Sequence, residues 1–313
     1  DAKMVGAKLL GRFSWCWIAL LYLSVVAQPG AAAERADLLW DFADHLYQKQ
    51  DFYRALSEYQ RFLFLFSADL RVPEAELRVG RCYRQVGKFQ KAFSHLIRLH
   101  NRRAEEPAGR EALLEMVAIR EEQGRYPEAI YWAKQFIERY PDYAEIDAVY
   151  VRLAWLQIDS GKYEEAITTL ELLQPESTHY PRARSLCLAL QERSETGKKS
   201  PAMAGTLSAV LPGSGHLYAG RPGQAASSFL LNALFIAGAV IAFQNDSPVL
   251  GGILVFFELG WYQGGIRSAV QAAREENQRQ ERKYRRELKQ KYRLSLGLEP
   301  GKDWMALSVR LSF

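Results

Sequence analysis

Residues 48–56 read QKQDFYRAL, and three later stretches carry the same pattern: RQVGKFQKAF at 84–93, EEQGRYPEAI at 121–130 and DSGKYEEAI at 159–167. Their alanines, Ala55, Ala92, Ala129 and Ala166, stand 37 residues apart, and the aromatics three positions earlier, Phe52, Phe89, Tyr126 and Tyr163, keep the same step, as do Gly87, Gly124 and Gly161. A fixed period of this length marks an array of helical units that bury their apolar faces on one another. Four and seven positions after each alanine come Tyr59 and Phe62, Leu96 and Leu99, Ala133 and Phe136, Leu170 and Leu173. Spacing of i, i+4, i+7 puts these residues on one helix face. Twelve positions before each alanine stands Ala43, Gly80, Val117 or Ala154, a compact residue where the first helix of a unit approaches its neighbour. The glycine opens the turn between the two helices, because it tolerates the left-handed backbone that ends a helix.

These units resemble tetratricopeptide repeats over about 140 residues, between 37 and 175. The period departs from the family's usual 34, which longer turns between repeats would explain, and a closing proline is clear only at Pro141. The resemblance implies a right-handed superhelix whose concave groove, lined by the first helix of each unit, binds a peptide or partner protein. Carried onto this chain, the groove-facing candidates are Trp40, Asp44, Tyr47, Arg81, Arg84, Glu121, Trp155 and Ile158; packing or solvation is the alternative role for each.

The chain of 313 residues has a formal net charge of +5, and its first 33 residues carry Lys3, Lys8, Arg12 and Asp1, so the charge falls to +3 without them. That is too small and too scattered to argue for nucleic acid. Residues 1–33 read as a signal peptide: a basic start, an apolar run from Phe13 to Ala27, then Ala31-Ala32-Ala33 before Glu34. Cleavage is expected after Ala33, an uncleaved anchor being the alternative. The surroundings of Cys16 do not resemble a lipoprotein signal. Cys82 and Cys187 are too few for a disulfide framework and are expected as small buried residues.

After a repeat domain over 34–193 and a polar linker over 194–205, the composition turns apolar. Residues 225–243, AASSFLLNALFIAGAVIAF, are nineteen uncharged positions, and 249–266, VLGGILVFFELGWYQGGI, carry one charge, Glu258. Each run approaches the roughly 20 residues a helix needs to cross a bilayer. With five residues between them they read as a transmembrane hairpin within a membrane module over 206–273, and a buried hairpin in a soluble core is the competing reading. If residues 203–219 also cross, the spans number three and the tail changes side.

The module opens on PGSGHLYAGRPG, 212–223. It lacks the Lys-Ser/Thr of a phosphate-binding loop, and Gly213-Ser214-Gly215 lacks the spacing of a nucleophile elbow. It reads as a bend feeding the first span. With LNALF, LGGILVFFELGWY and AVQAAREEN downstream, it is similar to a Gram-negative envelope module with a Pro-Gly-x-Gly-x-x-Tyr-x-Gly signature ahead of paired transmembrane helices, whose role is undefined and which is often joined to tetratricopeptide repeats. The match covers roughly 204–277, on Pro212, Gly213, Gly215, Tyr218, Gly220, Glu258, Tyr262 and Asn277; His216 and Asn232 lie within it. Gly264-Gly265 departs from the Gly-Asn expected there.

Residues 274–293 hold nine Lys/Arg against four Glu and read as a charged, solvated helix with its basic side near lipid head groups. Residues 294–313 alternate around a Pro-Gly turn and read as a β-hairpin. Its end on Phe313 resembles the last strand of an outer-membrane barrel, although two strands close no barrel.

The expected fold class is therefore mainly α: a tetratricopeptide-like α-solenoid, then a transmembrane helical hairpin, a charged helix and a short C-terminal β-hairpin. The five histidines form no metal-ligand spacing, and no acid/base constellation stands out, so no catalytic residue, metal or cofactor is expected. The leading function is a membrane-anchored scaffold of the bacterial envelope, with periplasmic repeats on the inner membrane, or associated with the outer one, whose groove holds a protein or peptide during assembly or transport. A small channel or carrier built on the hairpin and Glu258 is the alternative class, and an enzyme comes third. In an antiparallel hairpin at 1.5 Å per residue, Asn232 and Glu258 fall about 3 Å apart in depth. An interhelical hydrogen bond is expected there, or a meeting of Glu258 with water or His216.

Overall fold

The computed structural model describes residues 29–193, 198–292, 295–296 and 309–310. They fall into two compact units that divide between Lys162 and Tyr163.

The first unit is a run of paired helices: α1 (Pro29–Gln48) with α2 (Phe52–Leu65), α3 (Val72–Gln85) with α4 (Phe89–Arg103), α5 (Pro107–Glu122) with α6 (Tyr126–Arg139), then α7 (Ile146–Asp159). Each packs on the next, and the first helices α3 and α5 also pack on each other. Ala55, Ala92 and Ala129 are fully enclosed, as are Tyr59, Phe62, Leu96, Leu99, Ala133 and Phe136. The compact positions behave as their spacing requires. Ala43, Val117 and Ala154 are fully buried, and a Cβ on Gly80 would stand 2.4 Å from Leu96 Cδ2. Each turn inside a repeat closes through a left-handed residue, Gln50 in the first and Gly87, Gly124 and Gly161 in the others. In every one the following N–H reaches back to the helix, Asp51 to Leu46 O, Lys88 to Tyr83 O, Arg125 to Arg120 O and Lys162 to Gln157 O, at 2.8–2.9 Å. The longer period comes from the links at residues 66–71 and 140–145 in two intervals, and between Ala92 and Ala129, where the link is only 104–106, from the longer helices α4 and α5, of 15 and 16 residues. Cys82 is buried and free.

The second unit holds α8 (Tyr163–Leu170), α9 (Tyr180–Gln191), α10 (Pro201–Val210), α11 (Ser214–Tyr218), α12 (Pro222–Gln244) and α13 (Pro248–Tyr292). Ala166, Leu170 and Leu173 are buried here, and so is Cys187. The helices α12 and α13 are long and apolar enough to cross a membrane. Little of either apolar window is buried; Leu234 and Phe256 are 69% and 73% exposed, surface that the core of a soluble protein would cover. Residues 203–219, the third span considered above, instead form two short helices separated by a bend.

Three expectations change. The charged segment, largely exposed as expected, is not a separate helix but the continuation of α13. Glu281 accepts a hydrogen bond from Tyr163 and pairs with Arg193 at 2.7 Å, and Tyr284 donates to Ala189 O at 3.1 Å, so this stretch is held against α8 and α9. The expected linker is helical from Pro201 on, because Ser200 caps α10 by accepting the Met203 N–H at 3.2 Å. The C-terminal β-hairpin is not shown: among the described residues, only Ser295–Leu296 and Val309–Arg310 pair, antiparallel. Residues 1–28, with most of the expected signal peptide, lie outside the described residues.

Candidate functional site

Charges of alternating sign line the first helices of successive repeats. From α3, Arg78 stands 3.8 Å from Asp44 of α1 and donates to Glu74 at 2.8 Å. Arg81 donates through Nε to Glu115 of α5 at 2.8 Å and also bonds Glu111. Arg84 bonds Glu122, and its Nε lies 3.0 Å from Glu115 Oε2, an ion pair without hydrogen-bond alignment. From α7, Arg152 donates to Glu121 at 2.9 Å and 3.1 Å. Glu115 is 2% exposed and Arg84 7%. Burial by itself would raise the Glu115 carboxyl, but Arg84 and Arg81 hold it below its ordinary value. Glu111 goes the other way: its burial outweighs Arg81 and raises it. Ion pairs so enclosed hold neighbouring helices in one register, since any slip would strand a buried charge.

Of the expected groove residues, the structure gathers Asp44, Arg81, Arg84 and Glu121 into this ladder. Tyr47 is 7% exposed, packed edge-on against Phe52 and Tyr59 with Arg78 over its ring. Trp40 is half-buried against Tyr59 and Phe62, under the Arg71 guanidinium. Trp155 is nearly buried, with no hydrogen-bond partner for Nε1, and Ile158 has no exposed surface. Both sit where packing, not an open groove, surrounds them. Sequence reasoning missed Arg78, Glu111, Glu115, Glu122 and Arg152. Asp41, Arg78, Glu115 and Arg152 stand at the repeat step with alternating charge, which would have revealed them.

The membrane motif is a second constellation, folded by close backbone approach. Gly213 takes a left-handed φ of 89°, and a Cβ there would fall 2.3 Å from Ala225 O; one on Gly215 would fall 1.9 Å from Ala204 O. Pro212 follows the α10 cap, where the helix cannot continue, and Gly220, again left-handed, ends α11. The tyrosines tie separate segments together. Tyr218 Oη accepts the Ser200 N–H at 3.0 Å, and Tyr262 donates to Ala209 O at 2.9 Å. Asn277 grips the Lys199 backbone from both sides, accepting its N–H at 2.7 Å and donating to its carbonyl at 2.8 Å. Ala204, Ala219, Ala269, Ala272 and Ala273 fill the contact between α10, α11 and α13. The expected Asn232–Glu258 bond is not formed. Asn232 donates to Ser228 O one turn back at 2.6 Å, His216 bonds Ser268 at 3.1 Å, and both Glu258 carboxylate oxygens are covered without a hydrogen-bond partner. Among the described residues no cluster of three His, Cys, Asp or Glu is placed to hold a metal.

Residues 120–190 match the tetratricopeptide repeat family. No curated protein matches the chain. Among solved structures, the chain is similar to a tetratricopeptide repeat protein from Parabacteroides merdae ATCC 43184, at 10% identity and a TM-score of 0.42, over 77% of this chain and 99% of that one. It is also similar to a putative kinesin light chain of Podosopora anserina with nearly identical TPR-like repeats, at 15% identity and a TM-score of 0.38, over 62% of this chain and 90% of that one. The repeat portion is tetratricopeptide-like, a fold class that serves protein–protein interaction.

Proposed function

We propose that the chain is a membrane-anchored scaffold of the bacterial envelope that holds a partner protein or peptide along the first helices of its repeats. The carrying observation is the inter-repeat ion-pair ladder, which keeps that face in one preformed shape and so lowers the ordering cost of binding. Asp44 and Glu121 remain 26% and 37% exposed on it and offer acceptors to a ligand. The apolar surface of α12 and α13 suits a bilayer, and placement of the repeats in the periplasm, on the inner membrane, follows from the N-terminal signal read in the sequence. Photo-crosslinking tests the reading: a reactive residue at Asp44 or Glu121 of the full-length chain should trap the same protein. One at Tyr131, exposed on a second helix, should not. Equal trapping from all three positions, or none, rejects it.

A second reading, a small channel or carrier, rests on Glu258, whose carboxylate is covered and unpartnered within an apolar run.

A further inference from the structure

A cavity of about 480 Å³ lies within the membrane module, and its lining includes His216, Gly223, Gln224, Ser227, Ser228 and Ser268. Three features meet there. The first is the start of α12. With Arg221 as N-cap, the N–H groups of Gly223 and Gln224 belong to the first turn, which has no intrahelical acceptor, and no side chain caps it; the first helical bond is Ala225 N–H to Arg221 O. Such a helix end attracts anions, most strongly where the donors face a walled space. The second is His216, 3% exposed, whose Nε2 is occupied by Ser268 while Nδ1 has no partner. Burial, together with the Arg221 charge, holds its pKa down, so the ring is neutral near pH 7 and carries a single proton. In the tautomer in which the Ser268 hydroxyl donates to Nε2, that proton sits on Nδ1 and becomes a donor. The third is the Ser228 hydroxyl, which adds a donor without adding charge, whereas Ser227 already donates to Gly223 O at 3.0 Å and Ser268 is engaged with His216. Leu231 and Trp261, the latter 51% exposed, also line it.

We infer that this cavity binds a phosphate group, through the first-turn N–H groups of α12, the His216 ring and the Ser228 hydroxyl. The group comes either from a phospholipid head, whose acyl chains would lie along Leu231 and Trp261, or from free phosphate. The Pro-Gly-rich bend then has a purpose beyond turning the chain: it carries His216 to the start of α12. Nothing in this inference depends on the repeats binding a partner.

The test uses the full-length chain in dodecyl maltoside, which contains no phosphorus. The probes are inorganic phosphate, dihexanoyl phosphatidylglycerol and, as control, dihexanoylglycerol, each titrated calorimetrically. The decisive variant is Gln224→Glu. A carboxylate at the third helical position supplies its own anion to the first turn and favours the helix, so the variant should melt no lower than wild type. Saturable binding of phosphate, of the phospholipid or of both, weakened at least tenfold in Gln224→Glu and also in His216→Gln, is expected; which probe binds identifies the source. No saturable binding of either phosphate probe overturns the inference, as does affinity unchanged in Gln224→Glu. Dihexanoylglycerol binding as tightly as the phospholipid also overturns it, because the apolar wall would then account for everything.

Discussion

The Glu115 carboxylate of α5 accepts the Arg81 Nε–H of α3 at 2.8 Å with 2% of its side chain exposed, which makes it the most enclosed charge in the ladder of first helices. Removing it leaves Arg81 and Arg84 short of a counter-charge in a place water does not reach. Glu115→Ala should therefore cost about 3–5 kcal/mol. Arg61→Ala, which loses a 3.7 Å pair with Glu58 from a side chain 65% exposed, should cost less than about 1 kcal/mol. Hydrogen exchange of the α3 and α5 amides in the full-length chain measures both, and equal protection in the two variants would refute the contrast.

Acid should loosen the same contact. The Glu115 carboxyl is held below its ordinary 4.5, so its contribution is fully present above that value and is lost as pH falls through the depressed one. Glu111, raised by burial, contributes in the opposite sense: its share is present at low pH and lost as pH rises through the raised value. The urea midpoint of the wild type should drop between pH 6 and pH 3, and Glu115→Gln should flatten that drop. A variant as acid-sensitive as wild type would place the sensitivity elsewhere.

The repeat turns offer a matched pair. Gln50 stands at φ 62° where the next repeats carry glycine, and Gly124 stands at φ 68° with open space where a Cβ would project. Backbone strain alone thus decides both substitutions. Gly124→Ala should cost about 1 kcal/mol, and Gln50→Gly should gain a few tenths, the relief of strain being partly cancelled by added freedom in the unfolded chain. Thermal melts that move in the reverse order would show that side-chain contacts dominate these turns.

In the second unit, Asn277 is the clamp on the segment entering α10. Asn277→Ala removes two hydrogen bonds to the Lys199 backbone, about 1–3 kcal/mol in total. Trypsin should then cut after Lys198 or Lys199 several-fold faster, with the helices beyond intact. An unchanged cleavage rate would mean that Tyr218 and Ser200 alone hold the segment.

How much of this was legible varied with the range of the interaction. Ala55, Ala92 and Ala129 declare themselves because a repeat fold writes the same packing demand every 37 residues, and burial follows the period. The ladder was equally periodic but hidden by its alternating sign: Arg78, Glu115 and Arg152 occupy one repeat position with opposite charges, so a search for a recurring residue passes over them. Asn277 reaches Lys199 across 78 positions, a single tertiary contact that no periodicity encodes. For Asn232 and Glu258, depth arithmetic placed both near one level but could not fix rotation about the helix axis. Ser228 O, one turn away, offered Asn232 a nearer acceptor.

Glu258 separates the scaffold reading from the carrier reading. Its two oxygens are covered and make no hydrogen bond, in a stretch of α13 whose other side chains are apolar. An ionised carboxylate is costly in such a place, so its presence asks for a reason. If that reason is polar contact during assembly of the hairpin, glutamine meets it equally well, because it keeps an acceptor and adds donors while losing only titration. Glu258→Gln should then accumulate to wild-type level and trap the same protein from Asp44 and Glu121, whereas Glu258→Leu, without a polar group, should accumulate less or lose the partner. A carrier predicts a different pattern: Glu258→Gln present at full level, inserted and able to trap its partner, yet inactive in the cell. Membrane fractionation with crosslinking, set beside the growth or envelope defect of the deletion strain, reads both. Full complementation by glutamine retains the scaffold, and failure at undiminished level transfers the function to the hairpin.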